Sequence, residues 1–265
     1  MEVKSLGYRT DLIFSAFDGE IIDRGHYLVV RTPNNPGFYW GNYLLFDQPP
    51  SEGDYQRWQS LFAKEIGKPP QTTHQTFGWD STTDEQGVIA PFLDNGYQIE
   101  RSVVLVARQL SAPTQSVQGL TVRPLLVDED WKQSLENQMA CREPEFTEAN
   151  YRVFKERQVG RYRAMTRAGK GAWFGAFLGD RLVADLGVFN DNRLGRYQSV
   201  QTHPEFRRQG IARCLLYEAG IHAFDHFGIE RLVIVADADS SAERLYKASG
   251  FEVEEQQIGI MKFRG

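Results

Sequence analysis

The chain has 265 residues, of which 41% are hydrophobic and 12% aromatic, enough apolar material for one large core or two modest ones. Its net charge is −5, carried by residues 1 to 110 with 9 basic against 14 acidic side chains, so the composition argues against a general nucleic-acid binder. No run of about 18 uncharged apolar residues is long enough to span a bilayer, and Met1 to Ser5 lacks the apolar stretch of a signal peptide, so a soluble cytoplasmic protein without a membrane partner is expected. The two cysteines, Cys141 and Cys214, stand far apart with no CxxC or Cys/His cluster around either, which gives no support to a disulfide scaffold or a structural zinc.

In the first half, Gly25 to Arg31 and Phe38 to Phe46 read as strands rich in Tyr, Val, Leu and Phe. Asp54 to Glu65 places Tyr55, Trp58, Leu61 and Phe62 at helical spacing, so this half is mixed α/β. The aromatic run from Phe38 to Tyr43, with Trp58, Phe77 and Trp79, reads either as core or as the lining of an acceptor pocket. Gln109 to Gly119 is polar and contains Pro and Gly, and a domain boundary is expected there, dividing the chain into 1–112 and 118–265.

Beyond it, Leu120 to Arg123 looks like a short strand, Asp128 opens a helix with acidic residues in its first turn, and Phe146 to Arg167 is expected to form a second helix. Ala172 to Leu178, Arg181 to Phe189 and Arg196 to Thr202 are separated by Gly179-Asp180 and Asn190-Asp191-Asn192, which predicts an antiparallel meander. From Gly210 a helix runs through Phe224, followed by a strand at Arg231 to Ala236, a helix near Ser241 to Ser249 and a closing strand to Phe263. The fold class is thus α/β, with a mixed sheet.

An internal repeat shows between Val88 to Ile99 and Ala242 to Val253. Each has a helix, a glycine (Gly96, Gly250), an aromatic (Tyr97, Phe251) and then a strand, a pattern that also occurs at ordinary α/β junctions.

The segment Arg207-Arg208-Gln209-Gly210-Ile211-Ala212 joins a strand ending at Thr202 to a helix. At such a junction several N–H groups lack intrahelical partners and the macrodipole adds positive potential, so it can cradle a pyrophosphate. Gly210 and Ala212 allow close approach of the backbone, and Arg207, Arg208 and Arg213 supply countercharge. Val200 to Ala212 resembles the cofactor motif R/Q-x-x-G-x-G/A of the GNAT (GCN5-related N-acetyltransferase) superfamily. Asp239 to Phe251, with Ala242, Leu245, Tyr246, Gly250 and Phe251, resembles its second motif, N-x-x-A-x-x-L-Y-x-x-x-G-F.

The resemblance covers about residues 120 to 265. It implies the acyl-CoA N-acyltransferase fold, with a degenerate GNAT-like copy as the first half, and acetyl-CoA as cosubstrate. The pantetheine arm would run along Val200, Gln201 and Thr202, the pyrophosphate would lie at Arg207 to Arg213, and Tyr246 would protonate the departing thiolate. A phenol suits that task, because its pKa of about 10 exceeds the thiol's of about 8.5.

Asp239 stands where the family has Asn, which puts its cofactor contact in doubt, and the strand 196–202 holds no Glu to act as base. Water, Asp185, His203 and Glu205 remain open for that role. After the strand ending at Phe46 the first half reads Asp47 to Asp54, with two prolines and three carboxylates, so no CoA is expected there.

Seven basic residues between Tyr151 and Lys170 face a single acid, Glu156; they form either a solvated helix face or the border of an anionic acceptor's site. His222 and His226 share a helix face, but no third ligand is in sight and no metal is expected. Cys214 lies in an apolar run and is discounted as a nucleophile.

The expected activity is transfer of an acetyl group from acetyl-CoA to a small-molecule amine, by a monomer or homodimer. Protein N-termini or lysines as acceptors, and a non-catalytic acyl-CoA sensor, are the alternatives.

Overall fold

The computed structural model describes residues 1–69, 72–144 and 146–263. In chain order the elements are α1 (Leu6–Asp18), β1 (Glu20–Asp23), β2 (Tyr27–Arg31), β3 (Tyr43–Phe46), α2 (Asp54–Glu65), β4 (His74–Trp79), α3 (Ala90–Leu93), β5 (Gln98–Ala107) and β6 (Leu120–Pro124). There follow α4 (Asp128–Ala140), α5 (Glu148–Arg167), β7 (Gly171–Leu178), β8 (Arg181–Asp191), β9 (Leu194–Thr202), α6 (Ile211–Phe227), β10 (Arg231–Asp237), α7 (Ser241–Ala248) and β11 (Glu252–Phe263). The residues group into two compact units. The first holds Met1–Val104, Val235–Ser240 and the segment from Val253; the second holds Leu105–Ile234 and Ser241–Glu252.

In the first unit the strands run β1-β2-β3-β4-β11-β5. β3 lies parallel to β4, and the other pairs described, β1 with β2, β2 with β3 and β4 with β11, are antiparallel. The aromatic residues named from sequence divide: Trp58, Phe77 and Trp79 are fully buried in one cluster with Phe46, Phe62 and Phe92, whereas Trp40 only partly covers a second cluster around Tyr8 and Tyr43. Phe46 stacks flat on Trp58, their ring centroids 3.8 Å apart, an arrangement that adds to what area burial alone contributes.

The expected strand from Phe38 is interrupted by a 3-10 turn at Tyr39–Gly41. The buried Asn42 side chain accepts from Thr32 N–H and donates to the carbonyls of Asn35 and Phe38, a local alternative to ladder pairing.

In the second unit the order is β10-β9-β8-β7-β6, with β6 to β9 an antiparallel meander and β10 parallel to β9. α6 packs on this sheet closely because Gly220 has no side chain. Through that gap Tyr197 Oη reaches the Leu216 carbonyl at 2.5 Å, where an added Cβ would stand 2.4 Å from the hydroxyl.

The repeated segments share one local geometry. Gly96 and Gly250 both take the left-handed conformation, at φ +82° and +99°. Tyr97 N–H bonds the Phe92 carbonyl and Phe251 N–H the Tyr246 carbonyl, each at 3.1 Å, closing the two helices alike. The residue of the first half that matches Tyr246 is therefore Phe92, which has no hydroxyl.

Candidate functional site

β9 is irregular where it matters. Its pairing with β8 runs regularly to Gly187 opposite Gln198 and resumes with Asp185 opposite Gln201, so β9 carries an extra residue between them. Ser199 takes that bulge with φ +50°, a strained conformation for a residue with a side chain. On the other side, β10 pairs only through Arg231–Val233 with Leu194–Arg196. From Tyr197 to Thr202 the strand is unpaired on that edge among the described residues, leaving backbone donors and acceptors for another partner.

Val200, Gln201 and Thr202 on this stretch are half-buried. A 3-10 turn at Pro204–Phe206 then leads to the junction, where Arg207, Arg208, Gln209 and Gly210 are exposed, Ile211 is buried, and Ala212 and Arg213 are half-buried. Arg208 at φ +62° and Gly210 at φ +81° turn the chain into α6. Gly210 is the residue before the helix and no side chain caps it. Among the described residues the N–H groups of Gln209, Gly210, Ile211 and Ala212 meet no acceptor, the first intrahelical bonds being those of Arg213 and Cys214 to the Gly210 carbonyl.

A Cβ on Gly210 would find only Val117, at 3.8 Å, so the approach to these donors is open. The observed groups therefore fit an anionic phosphate: four free donors, the positive end of a 17-residue helix and exposed arginines.

The arginines differ. Arg207 Nε donates to the Thr202 carbonyl at 3.1 Å, which folds its side chain back toward β9. Arg213 Nη2 donates to the Ala112 carbonyl at 3.3 Å. Gln209 Nε2 reaches the Glu205 carbonyl at 3.3 Å. Tyr246 on α7 is buried, its ring 6.2 Å from Phe251, which in turn lies 5.8 Å from Tyr197 on β9. Asp239 is exposed, with φ +60°, and belongs to the first unit, whereas the other predicted residues belong to the second.

Of the open candidates for a base, Asp185 is sealed off. It has no exposed surface, and its oxygens accept from Ser134 Oγ, Asn137 Nδ2 (2.8 Å), Gln138 Nε2 (3.1 and 3.3 Å) and Trp173 Nε1 (3.0 Å). Burial raises its pKa while these donors oppose the rise. Glu205 is exposed and paired with Arg181 at 2.8 Å. His203 Nδ1 takes the Glu205 N–H at 3.4 Å and caps the 3-10 turn.

The basic helix α5 is not a uniformly solvated face: Lys155 and Arg161 are buried, at 6% and 7% exposure. Sequence reasoning missed the polar cluster around Asp185 and Lys155, because its members come from four elements, α4, α5, β7 and β8. The i, i+3, i+4 spacing of Ser134, Asn137 and Gln138 on one helix face is the signal that was there to be read.

Residues 131–251 match the acetyltransferase (GNAT) family. No curated protein matches the chain. Among solved structures, the chain is similar to a functionally unknown conserved protein from Staphylococcus epidermidis, with TM-score 0.75, 15% identity, and coverage of 94% of this chain and 96% of that one. It is also similar to a GCN5-related N-acetyltransferase from Kribbella flavida, with TM-score 0.64, 13% identity and coverage of 98% and 97%. A tandem GNAT protein from the clavulanic acid biosynthesis pathway is similar at TM-score 0.55 and 14% identity, with coverage of 97% and 88%. At these identities the likeness is one of fold.

Proposed function

From the match of residues 131–251 to the acetyltransferase (GNAT) family, we propose that the protein is an acetyl-CoA-dependent N-acetyltransferase acting on a small-molecule amine. The carrying observation is the set of four N–H groups at Gln209 to Ala212 without an acceptor among the described residues, at the open N-terminus of α6, next to a strand edge unpaired among those residues. In this reading the four donors hold the pyrophosphate, with Arg207, Arg208 and Arg213 at the rim. The backbone of Val200, Gln201 and Thr202 pairs with the pantetheine amides. Acetyl-CoA supplies an activated thioester, so an amine can attack directly and no enzyme nucleophile is needed. As the C–S bond breaks, Tyr246 Oη passes its proton to the departing thiolate, and the proton the amine nitrogen loses leaves through water.

The first half, residues 1–112, is read as a degenerate copy and residues 118–265 as the catalytic domain. Phe92 stands where Tyr246 stands in the repeat. In the first half Gly53, φ +84°, precedes α2, but there Asp54 already accepts from Ser51 N–H and Oγ, each at 2.8 Å, and places a carboxylate where an anion would bind.

The reading is tested by calorimetric titration of acetyl-CoA into the parent and a Gly210→Glu variant, followed by a screen of primary amines. Binding by the parent that is lost in Gly210→Glu supports the site. A parent that binds no acetyl-CoA overturns it. Tyr246→Phe is expected to lower kcat by about 10²–10⁴-fold with acetyl-CoA affinity retained.

A further inference from the structure

Two opposite charges are buried in the second unit without touching. Asp185 accepts from four side chains, and three of them, Trp173 N–H and the amide groups of Asn137 and Gln138, can only donate through the atoms they present. Such a shell selects the carboxylate form. Lys155 Nζ donates to Gln138 Oε1 at 3.1 Å and Gln158 Oε1 at 2.9 Å, and no carboxylate lies within ion-pair distance of it among the described residues.

Gln138 joins the two. Its Nε2 donates to Asp185 and its Oε1 accepts from Lys155, so an amide flip would set N–H₂ against an ammonium and oxygen against a carboxylate. A primary amide is suited to this place because one end donates and the other accepts.

The bridge sits beside the bulge. Asp185 lies opposite Gln201, at the point where β9 shifts register. Three residues past Gln138, Cys141 Sγ donates to the Thr202 carbonyl at 3.4 Å. Two turns past Lys155 on the same face of α5, Tyr162 Oη accepts from Gln198 Nε2 at 3.0 Å. Helices α4 and α5 are thus fastened to β9 on both sides of Ser199.

We infer that Asp185, Gln138 and Lys155 act as one positioning unit, an ion pair bridged by an amide, that holds the α4–α5 hairpin on the bulged strand and so sets the backbone of Val200 to Thr202. The consequence for cofactor binding rests on the transferase reading above; the consequence for the strand does not.

The test uses the full chain with Gln138→Met, which keeps volume and removes the bridge, and Lys155→Gln, which keeps a hydrogen-bonding group and removes the charge. Phe177→Leu, a core truncation in β7, which β8 separates from β9, serves as the control for lost stability. Amide hydrogen exchange at residues 198–202, measured well below each Tm, is expected to quicken at least 10-fold in Gln138→Met and to stay near the parent value in Phe177→Leu. Acetyl-CoA affinity is expected to fall about 10-fold in Gln138→Met and less in Lys155→Gln, with the control unchanged.

Unchanged exchange in both bridge variants, or equal quickening in the control, overturns the inference, as does unchanged affinity in a parent background that binds. A parent that binds no acetyl-CoA while Gln138→Met still quickens exchange overturns the transferase reading and leaves the positioning unit standing.

Discussion

Cys141 and Arg207 donate to one and the same acceptor, the carbonyl of Thr202, Sγ from 3.4 Å and Nε from 3.1 Å. The carbonyl at the end of the bulged strand is thereby fixed by the residue that follows α4 and by the first residue of the helix-entry segment. Burial pushes the Cys141 thiol above its ordinary range, with the Arg207 guanidinium pulling against it, and burial likewise raises Cys214. A small thiolate fraction and restricted access make for slow chemistry. At pH 7.5 a disulfide reagent is expected to label the native protein much more slowly than the protein in urea, where two thiols per chain react. Rapid labelling of one native thiol would contradict the placement of Cys141.

Gly187 gives Trp173 its room. An added Cβ would stand 2.5 Å from the indole ring and 2.7 Å from that of Phe189, and neither ring can swing away in a filled core. Gly187→Ala is expected to destabilise the protein by about 1–3 kcal/mol in urea unfolding, with disturbed near-ultraviolet signals, because the indole also holds Asp185.

Asp130 carries part of the acid sensitivity. Its carboxylate takes both Arg123 nitrogens at 2.7 Å and the N–H of Leu126 and Val127, and the Arg123 guanidinium holds its pKa down to about 2. A carboxyl with a depressed folded pKa contributes stability that is complete above the unfolded value and is lost as pH falls toward 2. Arg123 is partly exposed, so the contribution is taken as about 1 kcal/mol. Urea midpoints between pH 4 and 2 should fall less steeply in Asp130→Asn than in the parent.

Lys155 gives a slope of the same sign at the alkaline side. Burial lowers its pKa to about 8, with Asp185 and Cys141 working against the fall. Between pH 8 and the unfolded value near 10.4 the unfolded chain binds more protons, so this group's contribution to stability rises with pH, while below pH 8 the cost of burying the charge is present in full. The span corresponds to about 3 kcal/mol. The stability of the parent relative to Lys155→Met should therefore rise from pH 7.5 to 9.5; a flat difference would mean the ammonium is better solvated than its surroundings imply.

What sequence disclosed follows from how local the cause was. The helix at Asp54–Glu65 and the meander turns at Gly179-Asp180 and Asn190 to Asn192 are written in periodicity and turn chemistry, and α2, β7, β8 and β9 lie where those signals put them. The strand-to-helix junction at Gly210 was legible for the same reason.

α1 escaped because Gly7, Tyr8, Thr10 and Ser15 are among its buried residues, a poor apolar stripe. β4 escaped because His74 and Thr76 are buried polar residues within it, and His74 finds its hydrogen-bond partner far along the chain in the Asn42 carbonyl. The bulge at Ser199 depends on strands that meet after folding, and the fate of Lys155 on glutamines from two helices. A count of charges along α5 carries neither piece of information.

The five tryptophans divide between the two units, Trp40, Trp58 and Trp79 in the first and Trp131 and Trp173 in the second. Trp58 lies face to face with Phe46 and 6.4 Å from Trp79, while Trp131 and Trp173 lie 6.3 Å apart. Intrinsic fluorescence is therefore a two-channel optical reporter: a variant keeping only Trp58 and Trp79 follows the melting of one unit, and one keeping only Trp131 and Trp173 follows the other, without any added dye.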